Sequence, residues 1–418
     1  MAQYIITPQN PISGTVSISG SKNAALPILA AGLLSRGESV FTNVPSVSDV
    51  HSMCHLLSSM GATCTPLCEN QVTVSLSSDV RRKTAPLELV GKLRASFLIL
   101  GPLLARWGKV RLPLPGGCQI GARPIDLHLK GFSAMGAKIR QGHGYVEAVC
   151  DRLKGCNIYL DFPSVGATEN LMLAACLADG TTVIENAAAE PEIIDLSRCL
   201  TAMGAEISGA GSDTVRIVGK KELSPCTHSI IPDRIETGTF LTLAAASHGD
   251  LTLTNVHPAH SKPVLAKLEE MGFLVEMGED MLHIAPCERF RAVDIKTLPH
   301  PGFPTDMQAQ FMALLSVADG TGLVVETVFE NRFMQVSELL RMGAKIKIDG
   351  RTAVIDGSRR LSGARVRATD LRAGAALVIA AVAAQGETVI DDIEHLERGY
   401  ADFEKKLQSI GASVRKTE

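Results

Sequence analysis

The residues whose types suit chemistry are one thiol and a set of charges at the starts of apolar segments. Cys118 stands in Leu112-Pro113-Leu114-Pro115-Gly116-Gly117-Cys118-Gln119-Ile120-Gly121-Ala122-Arg123-Pro124, a stretch too rich in Gly and Pro for helix or strand. Such loops expose their side chains and carry function more often than packing, and Arg123 suits either a thiolate or an anionic substrate beside the sulfur. On the loop alone, an incidental thiol remains the alternative. Polar side chains also gather at six points, Ser21-Lys22-Asn23, Lys92-Leu93-Arg94, Ser164-Val165-Gly166-Ala167-Thr168, Asp233-Arg234-Ile235-Glu236-Thr237, Thr305-Asp306 and Thr369-Asp370-Leu371-Arg372. Each opens an apolar run that reads as a helix. A helix start offers unpaired N–H groups and partial positive charge, so it favours an anion. Lys22, Arg94 and Arg372 oppose that dipole at a cost of roughly a few tenths of a kcal/mol each, which hints at a ligand. For Asp233 and Asp370, plain helix capping explains the residue type equally well.

These points belong to a sixfold repeat. An aliphatic residue, Gly and usually Ala recur at Met60-Gly61-Ala62, Met135-Gly136-Ala137, Met203-Gly204-Ala205, Met271-Gly272-Phe273, Met342-Gly343-Ala344 and Ile410-Gly411-Ala412, spaced 68 to 75 residues apart. Gly37, Gly108, Gly180, Gly249, Gly320 and Gly386 form a second marker, each closing an Ala/Leu-rich segment, 66 to 72 residues apart. Each repeat therefore reads as an apolar helix, a Gly cap, a strand, an amphipathic helix ending at the signature, and two closing strands. In the fifth, Thr305-Asp306-Met307-Gln308 reads as a capping box, the helix runs through Ala318, and strands follow at 323–327, 344–348 and 353–355 around a helix over 336–341. Runs such as Ala375-Ala376-Leu377-Val378-Ile379-Ala380-Ala381-Val382 are apolar all round and must be buried.

The sixth repeat runs out of chain before its last strand, while Tyr4-Ile5-Ile6 is a spare strand ahead of the first. Pairing the two makes one domain discontinuous. The expected fold is a two-domain inside-out α/β barrel of six βαβαββ-like repeats, three per domain, with buried helices and outer sheets. Residues 22–231 form the first domain, and 1–21 with 232–418 the second. Facing domains would then make a cleft lined by helix starts, suited to a phosphorylated ligand.

Bulk properties narrow the function classes. With 41 Lys and Arg against 44 Asp and Glu in 418 residues, the net charge of −3 supplies no basic field for nucleic acid or an anionic membrane. No apolar stretch approaches the roughly 20 residues of a membrane helix, and no basic segment with an apolar run opens the sequence, so a cytoplasmic protein is expected. Ten cysteines lack CxxC pairs, and Cys64 and Cys68 have no histidines at zinc spacing, so no metal site is expected and most thiols read as small buried hydrophobes.

Several longer motifs carry a resemblance. Ser19-Gly20-Ser21-Lys22-Asn23-Ala24, the Cys118 loop through Ile125-Asp126-Leu127-His128, Ser164-Val165-Gly166-Ala167-Thr168, Pro232-Asp233-Arg234-Ile235-Glu236-Thr237-Gly238, Phe303-Pro304-Thr305-Asp306-Met307-Gln308, Phe329-Glu330-Asn331-Arg332-Phe333 and Arg398-Gly399-Tyr400 stand in order along the chain. Together the sequence resembles, nearly end to end, the UDP-N-acetylglucosamine 1-carboxyvinyltransferase family of enolpyruvyl transferases. The resemblance implies transfer of the enolpyruvyl group of phosphoenolpyruvate to the 3′-hydroxyl of UDP-N-acetylglucosamine, the committing step of peptidoglycan synthesis. It thereby implies a role in cell-wall biogenesis, cell shape and division, and a target for fosfomycin. No metal or other cofactor is implied, although Cys118 can carry a covalent phosphoenolpyruvate-derived adduct. Cys118 becomes the acid that protonates the methylene, Asp306 the base for the hydroxyl, and Lys22 a further catalytic cation. Lys22, Asn23, Arg94, Arg123 and Arg398 would bind phosphoenolpyruvate. Asn23, Arg94, Arg123, Pro124, Ile125, Asp126, Leu127, Ser164, Val165, Gly166, Asp306 and Val328 would bind the UDP-sugar, with Asp370 and Arg372 in support.

The chemistry suits those residues. Phosphoenolpyruvate must gain a proton at carbon while positive charge develops on the adjacent atom, which an acid on a mobile loop and a nearby carboxylate serve. Clustered cations hold the anion and help phosphate leave, and loop closure over the Gly116-Gly117 pair excludes water. One departure concerns Phe162, which stands where many members of the family carry a basic residue two positions before Ser164. Three rivals are an enolpyruvylshikimate-phosphate synthase-like transferase, which uses no such loop cysteine, a cysteine hydrolase, for which His128 is the nearest base in sequence, and a non-catalytic nucleotide-sugar-binding repeat protein.

Overall fold

Segments that are apolar on every side form helices that are buried on every side. In Leu371–Ala383 the buried run extends from Arg372 through Val382, and in Arg234–Ala246 it extends from Ile235 to the last residue. The computed structural model describes residues 2–8, 11–76, 84–91, 93–116, 121, 124–358 and 360–417. Two compact units divide the chain. The first comprises Gly20–Cys118 and Ala122–Ile231; the second comprises Met1–Ser19, Gln119–Gly121 and Pro232–Glu418. Each is built around three inner helices, Lys22–Ala31, Leu100–Trp107 and Val165–Ala175 in the first, and Arg234–Ala246, Gln308–Leu315 and Leu371–Ala383 in the second. In the second unit all three helices touch one another. Removing such Leu and Ile side chains from water contributes about 1.5–3 kcal/mol each.

Around these helices the strands form small sheets of one recurring order. In the fifth repeat Ile295–Lys296 lies parallel to Thr321–Val325, which pairs with Thr352–Asp356, which pairs with Lys345–Asp349. The sixth repeat keeps that order as Arg365–Arg367, Thr388–Asp391, Gln3–Thr7 and Ser413–Thr417. Its final residues do form a strand, and the N-terminal Gln3–Thr7 fills the position between it and Thr388–Asp391, antiparallel to both. Ser13–Ser17 likewise lies parallel to Asp250–Thr254 in the fourth repeat, and Thr227–Ser229 lies parallel to Gly37–Thr42 in the first. Among the described residues the strands close no barrel. Among the described residues they make seven separate sheets, because edge strands such as Ala62–Cys64 and Ile295–Lys296 are short and paired on one side alone. The fold is the inside-out arrangement of helices within sheets, without barrel closure.

Local backbone chemistry places the helix starts. All six signature glycines, 61, 136, 204, 272, 343 and 411, have φ between 86° and 109°, which a side chain would strain. At the second marker the fourth repeat differs, since His248 takes the left-handed position (φ 55°) and not Gly249. Asn43, Asn186 and Asn255 each have φ 53° just after the second strand of their repeats. Their side-chain amides donate to the carbonyls of Ile230 (2.8 Å), Leu160 (2.7 Å) and Ile18 (2.6 Å), at the end of the parallel first strand. Each of those carbonyls lies three or four residues ahead of a cap, Asp233, Ser164 or Ser21. A Cβ added to Gly20 would sit 1.7 Å from the Asn43 carbonyl oxygen, so the turn into the first inner helix has no room for a side chain. Gly20 and Ser21 fall in the first unit, where Ser21 N donates to Ile231 O at 2.7 Å.

Ile6, 1% exposed and central in its sheet, should report on closure of the sixth repeat. Ile6→Ala is expected to cost about 2–5 kcal/mol, measured as a lower urea midpoint, and an unchanged midpoint would mean that the strand is dispensable.

Candidate active site

In the first unit the helix Lys22–Ala31 begins with a cation where the dipole favours an anion. Ser21 caps it by accepting from Ala24 N (3.3 Å), and Lys22, 9% exposed, is compensated by Asp49 at 3.0 Å. Asp49 itself stands in the first turn of Ser48–Ser59, where a carboxylate is favoured. Asn23 is half-buried beside Lys22. Ser164 caps Val165–Ala175 by accepting from Ala167 N (3.3 Å), and Ser164, Val165 and Gly166 are all half-buried. The amino end of this helix therefore stays reachable by an anion, with Phe162 41% exposed ahead of it and Asp161 engaged by Lys130 at 2.7 Å. Pro124 and Asp126 are exposed and Ile125 and Leu127 half-buried where the helix Asp126–Ala134 starts.

Behind these residues lies a polar knot that the sequence did not disclose. Asn170 donates to Phe97 O (2.9 Å) and to His128 Nδ1 (3.1 Å), and accepts from Gly101 N (2.8 Å). Burial, with the charge of Arg94 adding, pushes His128 down to about 3, so the imidazole is neutral and its other nitrogen carries the proton. Arg94 is half-buried at the start of Arg94–Ile99. Glu169 is 3% exposed, and burial together with Glu192 and Glu190 raises it well above the usual carboxylate range.

In the second unit Asp306 is gripped by two guanidiniums. Arg332 Nη2 lies 2.7 Å from Oδ1 and Arg372 Nη2 3.3 Å from Oδ2, with both arginine side chains 5% exposed and that of Asp306 27%. Arg332 also donates to Thr305 Oγ1 (3.0 Å), which donates to Glu326 (2.9 Å). Glu326 accepts in turn from Val328 N (2.8 Å) and Phe329 N (3.1 Å), which fixes the Val328 segment. The sequence reading of a capping box here is corrected, because Thr305 spends its hydroxyl on Glu326 and Arg332. The chain enters Gln308–Leu315 through the 3-10 turn Thr305–Met307 with no side-chain cap.

Asp370 caps Leu371–Ala383, accepting from Arg372 N (2.8 Å) and Ala373 N (3.0 Å), and Asp233 caps Arg234–Ala246 the same way. Desolvation opposes the charge of Arg372, but Tyr400, Asp306 and Asp233 outweigh it and hold the guanidinium protonated. Its carbon lies 5.4 Å over the Tyr400 ring, and its Nη1 is buried without a hydrogen-bond partner. A buried donor left unpaired costs about 1–3 kcal/mol, which an oxygen of a bound anion would offset. Arg398 is half-buried at the end of Ile393–Arg398, ahead of a Gly399 packed against Leu371.

Thus Asp306, Arg372, Asp370 and the Val328 segment meet in the second unit, while Lys22, Asn23, Arg94 and Ser164 to Gly166 stand at helix starts of the first. Cys118 and Arg123 lie outside the described residues. Arg332, Glu326 and Asp49 were not assigned roles from the sequence. Arg332 sat in a recognised motif, whereas Asp49 carried no signal beyond an acidic first helical turn.

Against this geometry the comparisons with known proteins are decisive. The family described as EPSP synthase (3-phosphoshikimate 1-carboxyvinyltransferase) matches residues 6–407. The chain belongs to that enolpyruvyl transferase family. It is 55% identical to UDP-N-acetylglucosamine 1-carboxyvinyltransferase 1 of Caldanaerobacter subterraneus subsp. tengcongensis, with 99% of each chain covered. It is 52% identical to UDP-N-acetylglucosamine 1-carboxyvinyltransferase of Shewanella baltica over 100% of both. Among solved structures, the enolpyruvyl transferase NikO from Streptomyces tendae is 27% identical with a TM-score of 0.90, over 100% of this chain and 99% of that one. EPSP synthase from Acinetobacter baumannii, 18% identical with a TM-score of 0.78 over the full length of both, shares the fold. Among the described residues no helix is long and apolar enough to cross a membrane.

The neutral His128 of this family member makes stability depend on pH. An unfolded histidine takes its proton near 6.5 and His128 only near 3, so stability present at pH 7 is lost as pH falls through that window. The loss should reach about 2 kcal/mol by pH 5. Urea midpoints of the protein and of His128→Gln measured across that interval check it, and the variant should show the shallower fall.

Proposed function

We propose that this enzyme transfers the enolpyruvyl group of phosphoenolpyruvate to the 3′-hydroxyl of UDP-N-acetylglucosamine and releases phosphate. The observation that carries the reading is the full-length identity of 55% to a relative named for that reaction. In the reaction, Cys118 gives a proton to the methylene carbon of phosphoenolpyruvate while Asp306 takes the proton of the sugar hydroxyl. The sugar oxygen bonds to the central carbon, and in the second half the methyl group loses a proton as the carbon–oxygen bond to phosphate breaks. Lys22, Arg94, Arg123 and Arg398, with Asn23, hold the phosphate and carboxylate and stabilise the charge that leaves with phosphate.

The hydrogen bonds around Asp306 support its part in this reading. Arg332 and Arg372 fix both oxygens of a carboxylate that does no capping, and the free Nη1 of Arg372 suits an oxygen of a reacting anion. Arg123 to Leu127, Ser164 to Gly166 and Val328 take the UDP-sugar, its diphosphate meeting the start of Val165–Ala175 without the basic side chain that Phe162 replaces. Asp370 and Arg372 support from behind. The reading needs no metal or other cofactor, with Cys118 free to carry a phosphoenolpyruvate-derived adduct, and it sets the enzyme in cytoplasmic peptidoglycan synthesis, ahead of cell-wall growth and division.

Phosphate release should require UDP-N-acetylglucosamine with phosphoenolpyruvate, and shikimate 3-phosphate should not replace the sugar nucleotide. Release with the shikimate alone would assign the chain to the other branch, and no turnover with either would leave a binding protein. Cys118→Ala should abolish turnover yet keep UDP-sugar binding, whereas Cys118→Asp should retain turnover and escape alkylation by fosfomycin. Turnover by Cys118→Ala near the parent rate would remove the acid from that position.

A further inference from the structure

Away from the residues assigned above, one helix and one strand of the first unit face each other across two rungs of reactive side chains. On the helix Pro191–Ala202, Asp195 and Cys199 are one turn apart and share a face, 1% and 0% exposed. Cys226, His228 and Ile230 alternate inward along the segment that contains the strand Thr227–Ser229, with Thr227 and Ser229 exposed between them. The first rung is His228 Nε2 to Asp195 Oδ1 at 2.9 Å, and the second is Cys199 Sγ to Cys226 Sγ at 3.9 Å. Both sides of this ladder are held in place. Asp195 Oδ2 accepts from Ile231 N (3.2 Å), Cys226 N donates to Ser39 Oγ (3.3 Å), and Cys226 O accepts from Val40 N (2.8 Å).

We propose that Cys199 and Cys226 are a peroxide-responsive thiol pair, a modification site separate from Cys118, that closes to a disulfide. The sulfurs are in contact, so forming the bond of about 2.05 Å needs a shift of roughly two ångströms, within reach of side-chain rotation and a small backbone adjustment. The two thiols are also unequal. Cys226 is half-buried and so within reach of a small oxidant, and its contact with Cys199 lowers its proton affinity against the cost of burial. Cys199 is fully buried and out of such reach, and the same contact together with burial raises its own. Cys226 is thereby the attacking thiolate and Cys199 the resolving thiol.

The steps balance with hydrogen peroxide as oxidant. Cys226 Sγ attacks one peroxide oxygen, the O–O bond breaks, and the other oxygen leaves as hydroxide and takes up a proton to become water, with a sulfenic acid on Cys226. Cys199 Sγ then attacks that sulfur, the S–O bond breaks, and a second water leaves with the Cys199 proton. Two thiols are oxidised and one peroxide is reduced to two waters. The bond would tie the Pro191–Ala202 helix to the segment that runs on to Ile231, where the chain leaves the first unit for the second.

Treatment of the full chain with hydrogen peroxide, alkylation of remaining thiols and non-reducing peptide mapping tests this. The expected product is one linked peptide pair carrying Cys199 and Cys226, about 2 Da lighter than the sum of the reduced peptides and restored by dithiothreitol. The oxidised protein should unfold at a higher temperature than the reduced one, and Cys226→Ser should lose both the link and the shift. Cys199→Ser should instead halt at a Cys226 sulfenic acid that dimedone captures. Oxidation that links Cys54 to Cys64, or that leaves Cys199 and Cys226 alkylatable while Cys118 is consumed, overturns the proposal.

Discussion

A helix wrapped in hydrophobic neighbours along its whole length can reach polar surroundings only at its ends, and that constraint organises this protein. Leu371–Ala383 and Arg234–Ala246 bury nearly every side chain along their length. The unpaired N–H groups at their starts must nevertheless be satisfied. Every charge assigned to binding or proton transfer on a described inner helix therefore sits within its first turn or immediately before it. The Asn turns at 43, 186 and 255 serve the same constraint from outside, since each pins the strand end that leads into a cap.

Charges at such positions persist only where each is compensated, and the two units do this differently. Lys22 is offset by one carboxylate, Asp49, which gains from its own helix dipole. Asp306 faces two guanidiniums, Arg332 and Arg372, while Asp233 adds its charge to the hold on Arg372 and Arg332 reaches Glu326 through Thr305. Arg372 Nη1 stays buried without a partner, which costs the desolvation of an unpaired donor.

Much of this was legible in the sequence because repetition amplifies weak signals. The Met-Gly-Ala period located the signature turns, and the helix at Val336–Arg341 fell where its amphipathic pattern put it. The fifth inner helix was read three residues too long, to Ala318, because apolar composition does not separate the α-helix, which ends at Leu315, from the tighter turns by which Val317 and Ala318 donate three residues back. Thr305 was misread as a cap because the capping pattern is local, whereas its partners Glu326 and Arg332 arrive from 21 and 27 residues away. Asp49 was invisible for the same reason. Its pairing with Lys22 is set by the packing of two helices, and no spacing rule encodes it. Strand composition reports that strands exist and not whether short edges find partners, so the division into seven separate sheets among the described residues was not legible in it.

The caps also separate scaffold from chemistry in a way that residue type could not. Ser21, Ser164, Asp233 and Asp370 each spend a side-chain oxygen on the N–H groups of their own helix. A carboxylate so engaged is a poor proton acceptor, because accepting a proton would break the cap. Two inner-helix starts, at Arg94 and Thr305, have a 3-10 turn and no side-chain cap. The tighter turn at Thr305 needs no side-chain cap, and Asp306 there spends its carboxylate on Arg332 and Arg372. Asp306 thus differs from the equally acidic Asp233 and Asp370 in being held by guanidiniums and not by the N–H groups of its own helix, which agrees with the separate role proposed for it.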